Sequence, residues 1–239
     1  GDKVDWSTLN FDLDGDGTVA ESLNVNDTVD LIVSGNATVD YDVLLSVAGS
    51  FTLTEVAAPA SFGAGAKALT LDLDASVIVE GVEVSGSLQL IRVTNDSGDS
   101  WLGIEATDLN FGLDFAPINL SVTNGNLKLN QSSGAKVDWS ALSFDLDGDG
   151  TAAESLNVTD TVDLIVSGSA TVDFDGLLSL EGDFTLTEVA APASFGAGAK
   201  ALTLNLTASA LINGVEVSGS LQLIRVTNDL GQSWLGVEA

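Results

Sequence analysis

The chain has 239 residues, with 35 acidic and 7 basic side chains, so its formal net charge is −28. It contains no His or Cys, which excludes imidazole chemistry, thiol nucleophiles, disulfides and zinc sites built from His or Cys. Its acidity makes nucleic acid a poor partner, and no apolar run approaches the roughly 20 residues that insert into a membrane. Apolar residues make up 45% of the chain and charged residues 18%, which is typical of a folded protein. Without His and Cys, its side chains can offer a metal ion only oxygen ligands.

A long internal repeat organises the chain. The pentapeptide KVDWS occupies positions 3–7 and recurs at 136–140, an offset of 136 − 3 = 133. The aligned copies 3–106 and 136–239 differ at 19 of 104 positions, and the second copy has no counterpart of residues 107–135. We therefore predict two β-repeats, residues 3–135 and 136–239, and expect both to come from a longer tandem array.

The first chemical motif of each copy is a run of alternating carboxylates that ends in glycine. In the first copy Asp12, Asp14 and Asp16 precede Gly17. This DxDxDG spacing matches the first half of a calcium loop, because alternate side chains converge on one cation and glycine permits the turn. The residue after glycine offers its backbone carbonyl, and a glutamate follows. The predicted calcium ligands in the two copies are Asp12, Asp14, Asp16, Thr18, Glu21, Asp145, Asp147, Asp149, Thr151 and Glu154.

This motif departs from a helical EF-hand loop at its end. An EF-hand needs a bidentate glutamate at position 12, whereas this sequence has Leu23 or Leu156 there and its glutamate at position 10. We therefore predict a shortened loop, inserted between strands, that binds Ca²⁺. A hairpin with solvated carboxylates and no cation is the alternative, and Mg²⁺ is less suitable because it retains several waters.

The strands that follow are predicted from a period of two. Apolar and polar side chains alternate through residues 69–79 and again through 82–90, which is typical of half-buried antiparallel strands. Turn sequences predict hairpin tips, which we place at residues 42–43, 80–81, 116–117, 175–176 and 213–214. Gly49 and Gly86 lie in the middle of hairpin arms, where we predict bulges or bends.

These signals predict an all-β fold, an antiparallel meander of long hairpins. Such a sheet has an apolar face that requires a second layer. We therefore expect either a β-sandwich or an elongated, wound β-repeat.

Two further groups of residues have weaker interpretations. Asp72 and Asp74 become Asn205 and Thr207 in the second copy, which indicates a solvated strand face. The tryptophans are either sugar-stacking platforms or packing at the end of the core, and we favour packing. They are Trp6, Trp101, Trp139 and Trp234.

The sequence does not predict an enzyme. Paired carboxylates can hydrolyse glycosides, but the Asp pairs of this chain fall in turns and strands, and no catalytic or cofactor-binding set stands out. Two other interpretations stay open. One is a structural rod or spacer, and the other is a carbohydrate- or surface-binding module that uses the tryptophans and loops.

Tandem, near-identical, acidic, Cys-free β-modules with DxDxDG loops resemble the stalk repeats of giant secreted bacterial adhesins. The resemblance covers the whole chain and rests on composition, repetition and that motif. It implies a calcium-stiffened structural repeat on the extracellular side of a bacterial cell surface. The implied partners are neighbouring repeats of the same chain or, in the binding interpretation, cell-surface or glycan ligands. The glycine-rich nonapeptide of RTX β-rolls is absent, so that fold is not implied.

Overall fold

Antiparallel strands make up almost the whole architecture. The computed structural model describes residues 4–23, 25, 27, 29–41, 45–79, 82–115, 118–174, 178–212 and 215–239. Within these ranges eleven strands form one open sheet in which each strand pairs with the next in sequence. The strands are β1 (Val29–Tyr41), β2 (Leu45–Ala57), β3 (Lys67–Val79), β4 (Val82–Thr94), β5 (Ser100–Phe115), β6 (Ile118–Ser132), β7 (Leu164–Phe174), β8 (Leu178–Ala190), β9 (Lys200–Ile212), β10 (Val215–Thr227) and β11 (Ser233–Glu238). The predicted all-β meander is therefore confirmed.

The predicted hairpin arms are long. For example, β3 and β4 pair without a register shift from Lys67 opposite Thr94 to Val79 opposite Val82. The strands flanking all five predicted tips pair antiparallel, with register shifts in the β1–β2 and β5–β6 pairs. The tip residues 42–43, 80–81, 116–117, 175–176 and 213–214 lie outside the described residues.

The two mid-arm glycines are needed for different reasons. At Gly86 the φ angle is +157° and the β4–β5 register shifts between Ser85 and Ser87, which confirms the predicted bulge. At Gly49 the pairing with β1 and β3 is continuous. Glycine is required there because a Cβ would collide with the carbonyl oxygen of Asp74 on β3.

One sheet runs through both copies of the repeat. Strand β6, the last of the first copy, pairs with β7 of the second from Ile118 opposite Phe174 to Leu129 opposite Leu164. The boundary between the two predicted repeats therefore lies within one hydrogen-bonded sheet. The division of the chain into two domains stays a prediction.

The second layer over the first copy is an irregular segment. Residues 136–163, here called the covering segment, leave the sheet after β6 and cross one face of β2 to β5 before β7 begins. A 3₁₀ turn, Trp139–Ala141, starts this crossing. The core consists of side chains from the sheet face, from the β2–β3 connection and from the covering segment. They are Val56, Phe62, Ala66, Ala68, Ile91, Val93, Trp139, Phe144, Leu146, Leu156, Val158 and Val162.

The opposite face of the sheet is apolar and has no such cover within the described residues. Half-buried leucines of β2 to β5 line an open groove of about 550 Å³ there, together with Arg92 and Trp101. Among the described residues, no helix has the length and hydrophobicity required to span a lipid bilayer.

Candidate functional site

The predicted acidic loop lies in the covering segment and is closed by a backbone bridge. The N–H of Phe144 donates to the carbonyl of Glu154 at 2.8 Å, and the N–H of Glu154 donates back at 3.1 Å. The DxDxDG residues therefore form a compact loop between the two positions of an isolated antiparallel bridge. The glycines Gly148 and Gly150 have φ angles of +77° and +87°, a region that side-chain-bearing residues rarely adopt.

Asp145 organises the inside of this loop. Its Oδ1 accepts the N–H of Gly148 at 2.7 Å, and its Oδ2 accepts the N–H of Gly150 at 2.9 Å. The side chain of Glu154 reaches back across the bridge to accept the N–H of Leu146 at 3.1 Å. These bonds turn the backbone around the carboxylates, so the sequence pattern alone is enough to bring the acidic groups together.

The carboxylates converge in both copies, although the closest sets differ. In the second copy, oxygens of Asp145, Asp147 and Asp149 all lie within 4.8 Å of one another. In the first copy the corresponding set contains Asp12, Asp14 and Glu21. Three carboxylate oxygens at this spacing are a ligand set that suits a hard divalent cation such as Ca²⁺.

The remaining predicted ligands lie around each cluster. Asp149 accepts the N–H of Thr151 at 2.7 Å, and the Thr151 carbonyl accepts the N–H of Ala153 at 3.0 Å. In the first copy Asp16 accepts the N–H of Thr18 at 2.7 Å. Hydrogen bonds to their backbone N–H groups thus hold both threonines beside the carboxylates. Glu154 in the second copy and Asp16 in the first lie outside the three-residue sets whose oxygens are within 4.8 Å of one another.

The local loop geometry is nearly the same in both copies. Asp12 accepts N–H groups of Gly15 and Gly17 at 2.7 and 2.9 Å, matching the distances at Asp145. The surroundings nevertheless differ: Asp12 is exposed, whereas Asp145 is only 5% exposed. The loop is therefore a local structure, and its burial depends on the sheet that it meets.

Contacts with the sheet fix the second-copy loop in place. The Thr70 hydroxyl on β3 donates to the Asp145 carbonyl at 3.3 Å. A Cβ added to Gly148 would lie 2.9 Å from the Thr52 side chain and 3.2 Å from that of Ile32. The acidic loop is consequently packed onto the strands of the other copy.

The contact between the second-copy loop and the sheet buries the Asp145 carboxylate, which disfavours its charged form. Burial raises the pKa of Asp145, and the charges of Asp147 and Asp149 act in the same direction, against the hydrogen bonds from Gly148 and Gly150. A cation bound by these groups would relieve this cost at the buried Asp145, while the Asp147 and Asp149 side chains of the same cluster are exposed to water.

Asp72 is the residue at this contact whose setting differs from the expected one. It was expected on a solvated face, but it is half-buried, and burial raises its pKa, with further contributions from Asp74 and from Asp147 of the loop. The sequence carried one signal, the change to Asn205 in the second copy. It did not show which loop would cover that strand.

Two of the tryptophans pack in the core around Phe62. The Trp139 ring is fully buried 6.1 Å from Phe62, and its Nε1 donates to Asn130 at 3.1 Å. Trp101 meets Phe62 edge-on at 5.0 Å. Trp6 and Trp234 remain 40% and 42% exposed.

No protein-family model, curated protein or solved structure matches this chain. Its function must therefore be argued from the geometry of the acidic loops and their contacts.

Proposed function

We propose that this protein is a calcium-stiffened structural repeat that acts as a rod or spacer in a large extracellular, adhesin-like bacterial surface protein. The observation that carries the proposal is the placement of Asp145. This carboxylate belongs to a converging acidic set and is buried where one copy of the repeat covers the sheet of the other.

Calcium would act on the joint between the copies. Asp147 of the loop faces the half-buried Asp72 of β3, and their charges repel. A cation held by Asp145, Asp147 and Asp149 would offset this repulsion while keeping the loop in the shape that contacts Thr70. The covering segment would then be held more firmly on β2 to β5, and the chain would bend less at the joint.

Preferential binding of Ca²⁺ to the folded loop would also make folding depend on secretion. The carboxylates converge only when the loop is formed, so Ca²⁺ binds the folded state in preference to the unfolded chain. At a free concentration one hundred times the dissociation constant, such a ligand stabilises the folded state by about 2.7 kcal/mol. A chain exported unfolded at low calcium would therefore gain stability on reaching the extracellular medium.

The proposal assigns no catalytic role. Half of the residues that line the open groove on the other face are leucines, and its described lining residues include no paired acid and base. The packing of Trp101 and Trp139 on Phe62 supports a structural use of these rings over sugar stacking.

Isothermal titration with CaCl₂ tests the proposal on the whole chain. We expect two sites per wild-type chain and one site in either Asp14→Asn or Asp147→Asn. Both side chains are exposed, so neither change should disturb folding. Because only the second loop is packed on the sheet, Asp147→Asn should remove most of the stabilisation by Ca²⁺, and Asp14→Asn little of it. The absence of calcium-dependent heat in the wild type at millimolar Ca²⁺ would reject the proposal.

A further inference from the structure

We propose that the uncovered face of β2 to β6 binds a long-chain fatty acid. The acyl chain lies in the leucine-lined groove of that face, and its carboxylate pairs with Arg92, which lines the same groove. The proposal rests on an arginine that lacks an ion pair among the described residues, beside an aliphatic groove, in a chain of net charge −28. The groove is separate from the acidic loops, so this binding does not depend on Ca²⁺.

Strand register produces an unbroken aliphatic surface on this face. Residues that lie opposite each other in an antiparallel sheet share a face, and Leu71 of β3 lies opposite Leu53 of β2 and Leu90 of β4. An adjacent row crosses from β2 to β7 with only apolar side chains: Phe51, Leu73, Leu88, Ala106, Leu127 and Val166. Such side chains offer no hydrogen-bond partner, so the surface suits a ligand that is aliphatic along its length.

The groove has the size of a small-molecule site. Its volume of about 550 Å³ lies within the range of roughly 300–1,000 Å³ that is usual for ligand pockets. The five leucines that line it are all half-buried, and none is fully buried. An acyl chain that lies over them would therefore remove further apolar surface from water, which favours binding.

Arg92 is available to bind an anion. Each described lysine forms an ion pair with a carboxylate: Lys67, Lys128, Lys136 and Lys200. Arg92 forms no ion pair with a described residue, although the chain has 35 acidic and 7 basic side chains. It is exposed and lies between Leu69 of β3 and Leu102 of β5. Because a guanidinium can bind a carboxylate through two parallel hydrogen bonds, Arg92 can hold the head of a fatty acid.

The carboxylates near Arg92 are engaged by a lysine. Glu55 and Lys67 line a smaller pocket that shares Leu69 and Arg92 with the groove. The Lys67 Nζ lies 2.7 Å from a Glu55 carboxylate oxygen and 3.3 Å from one of Asp30. These two carboxylates exceed the single charge of Lys67, so they oppose an anion nearby. The site therefore needs the apolar contact of the acyl chain as well as the guanidinium.

The repeat itself contains no segment that covers this face. From Leu31 of β1 to its counterpart Leu164 of β7 the sequence completes one repeat period, and β2 to β6 each have a neighbouring strand on both sides. In this period, Phe62 of the β2–β3 connection and the covering segment pack on the opposite face. A further copy of the repeat would therefore extend the apolar face without covering it.

A fatty acid fits this face better than a second copy of the chain does. Stacking two such faces would bring together two chains of net charge −28, which repel each other. A fatty acid carries a single negative charge, and the groove places it against a guanidinium.

Isothermal titration of the full chain with dodecanoate, in chelator and below the micelle concentration, tests the site. We expect saturable binding that is tighter than that of dodecyltrimethylammonium, which has the same alkyl chain but a positive charge. Unspecific adsorption on a chain of net charge −28 would favour the cation instead.

Two variants that remove one positive charge each test the role of Arg92. Arg92→Gln should weaken dodecanoate binding at least about tenfold, because the charged hydrogen-bonded pair is lost. The matched control is Lys128→Gln, whose side chain pairs with Glu105 on the opposite face, and it should leave binding unchanged. Tighter binding of the cationic amphiphile, or equal weakening by the two variants, would overturn the proposal.

Tryptophan fluorescence locates the bound chain. Trp101 lines the groove, whereas Trp139 is fully buried on the opposite face. Dodecanoate brominated along its chain quenches nearby tryptophans, so we expect saturable quenching with the affinity found by titration. Trp101→Phe keeps an aromatic ring beside Phe62, and most of the quenching should be lost in it while the binding heat remains. Unchanged quenching in this variant would place the ligand elsewhere and overturn the assignment to the groove.

The alternative occupants of the face give different results. Binding to phosphatidylglycerol vesicles without binding of dispersed dodecanoate would identify a membrane surface as the ligand. A stable dimer in sedimentation equilibrium without fatty acid would identify a second copy of the chain. Either result overturns the proposal, whereas a monomer that binds dodecanoate and does not bind these vesicles agrees with it.

Discussion

Leu156→Ala tests whether the covering segment stabilises the fold through its buried face. Leu156 is 0% exposed and packs in the core above Gly103. Truncating a fully buried leucine removes its burial and leaves a cavity, at a typical cost of 2–5 kcal/mol, so we expect a loss of about 3 kcal/mol. For a chain of this size that loss lowers the melting temperature by about 6–12 °C.

The chain supplies its own control for this prediction. Leu23 is the same residue at the same place in the repeat, but it is 43% exposed and lies outside the core clusters of the described residues. Leu23→Ala should therefore cost less than about 1 kcal/mol. Urea denaturation followed by tryptophan fluorescence gives both free energies of unfolding. Equal losses in the two variants would refute the assignment of the covering segment to the core.

Two smaller changes probe the polar groups under the covering segment. The buried Thr54 hydroxyl has no hydrogen-bond partner among the described residues, so Thr54→Val should raise the free energy of unfolding by about 1 kcal/mol. Thr187→Val at the less buried counterpart should change it little, and equal gains would contradict this reasoning. In chelator, the raised pKa values of Asp72 and Asp145 destabilise the fold above those pKa values, and the destabilisation is relieved as pH falls toward the unfolded values. The melting temperature should therefore rise as the pH falls from neutral toward the ordinary aspartate pKa, and this rise should be smaller in Asp72→Asn. The same dependence of melting temperature on pH in both proteins would contradict the assignment.

The period-two alternation was sufficient to predict the strands because each hairpin is stabilised by contacts between neighbours in sequence. The bulge at Gly86 was predictable for the same reason, since a glycine within an arm marks a local irregularity. The acidic loop was predictable because Asp145 and Glu154 bond to backbone groups within the loop. Each of these features depends on residues close together in the chain.

The second layer could not be predicted in this way. Ile91 and Ile224 occupy the same place in near-identical sequences, yet one is 0% and the other 48% exposed. The difference arises because the segment after β6 crosses the first-copy face, a contact between residues that are distant in sequence. Asp72 was assigned to a solvated face for the same reason.

The thermal unfolding of the full chain in excess chelator and in millimolar CaCl₂ tests the central claim most directly. The account predicts a higher melting temperature in Ca²⁺, because the carboxylates at positions 145, 147 and 149 converge in the folded loop and repel one another without a cation. It also predicts that Asp147→Asn removes most of this increase. The same melting temperature in chelator and in Ca²⁺ would contradict the claim that calcium stiffens the repeat.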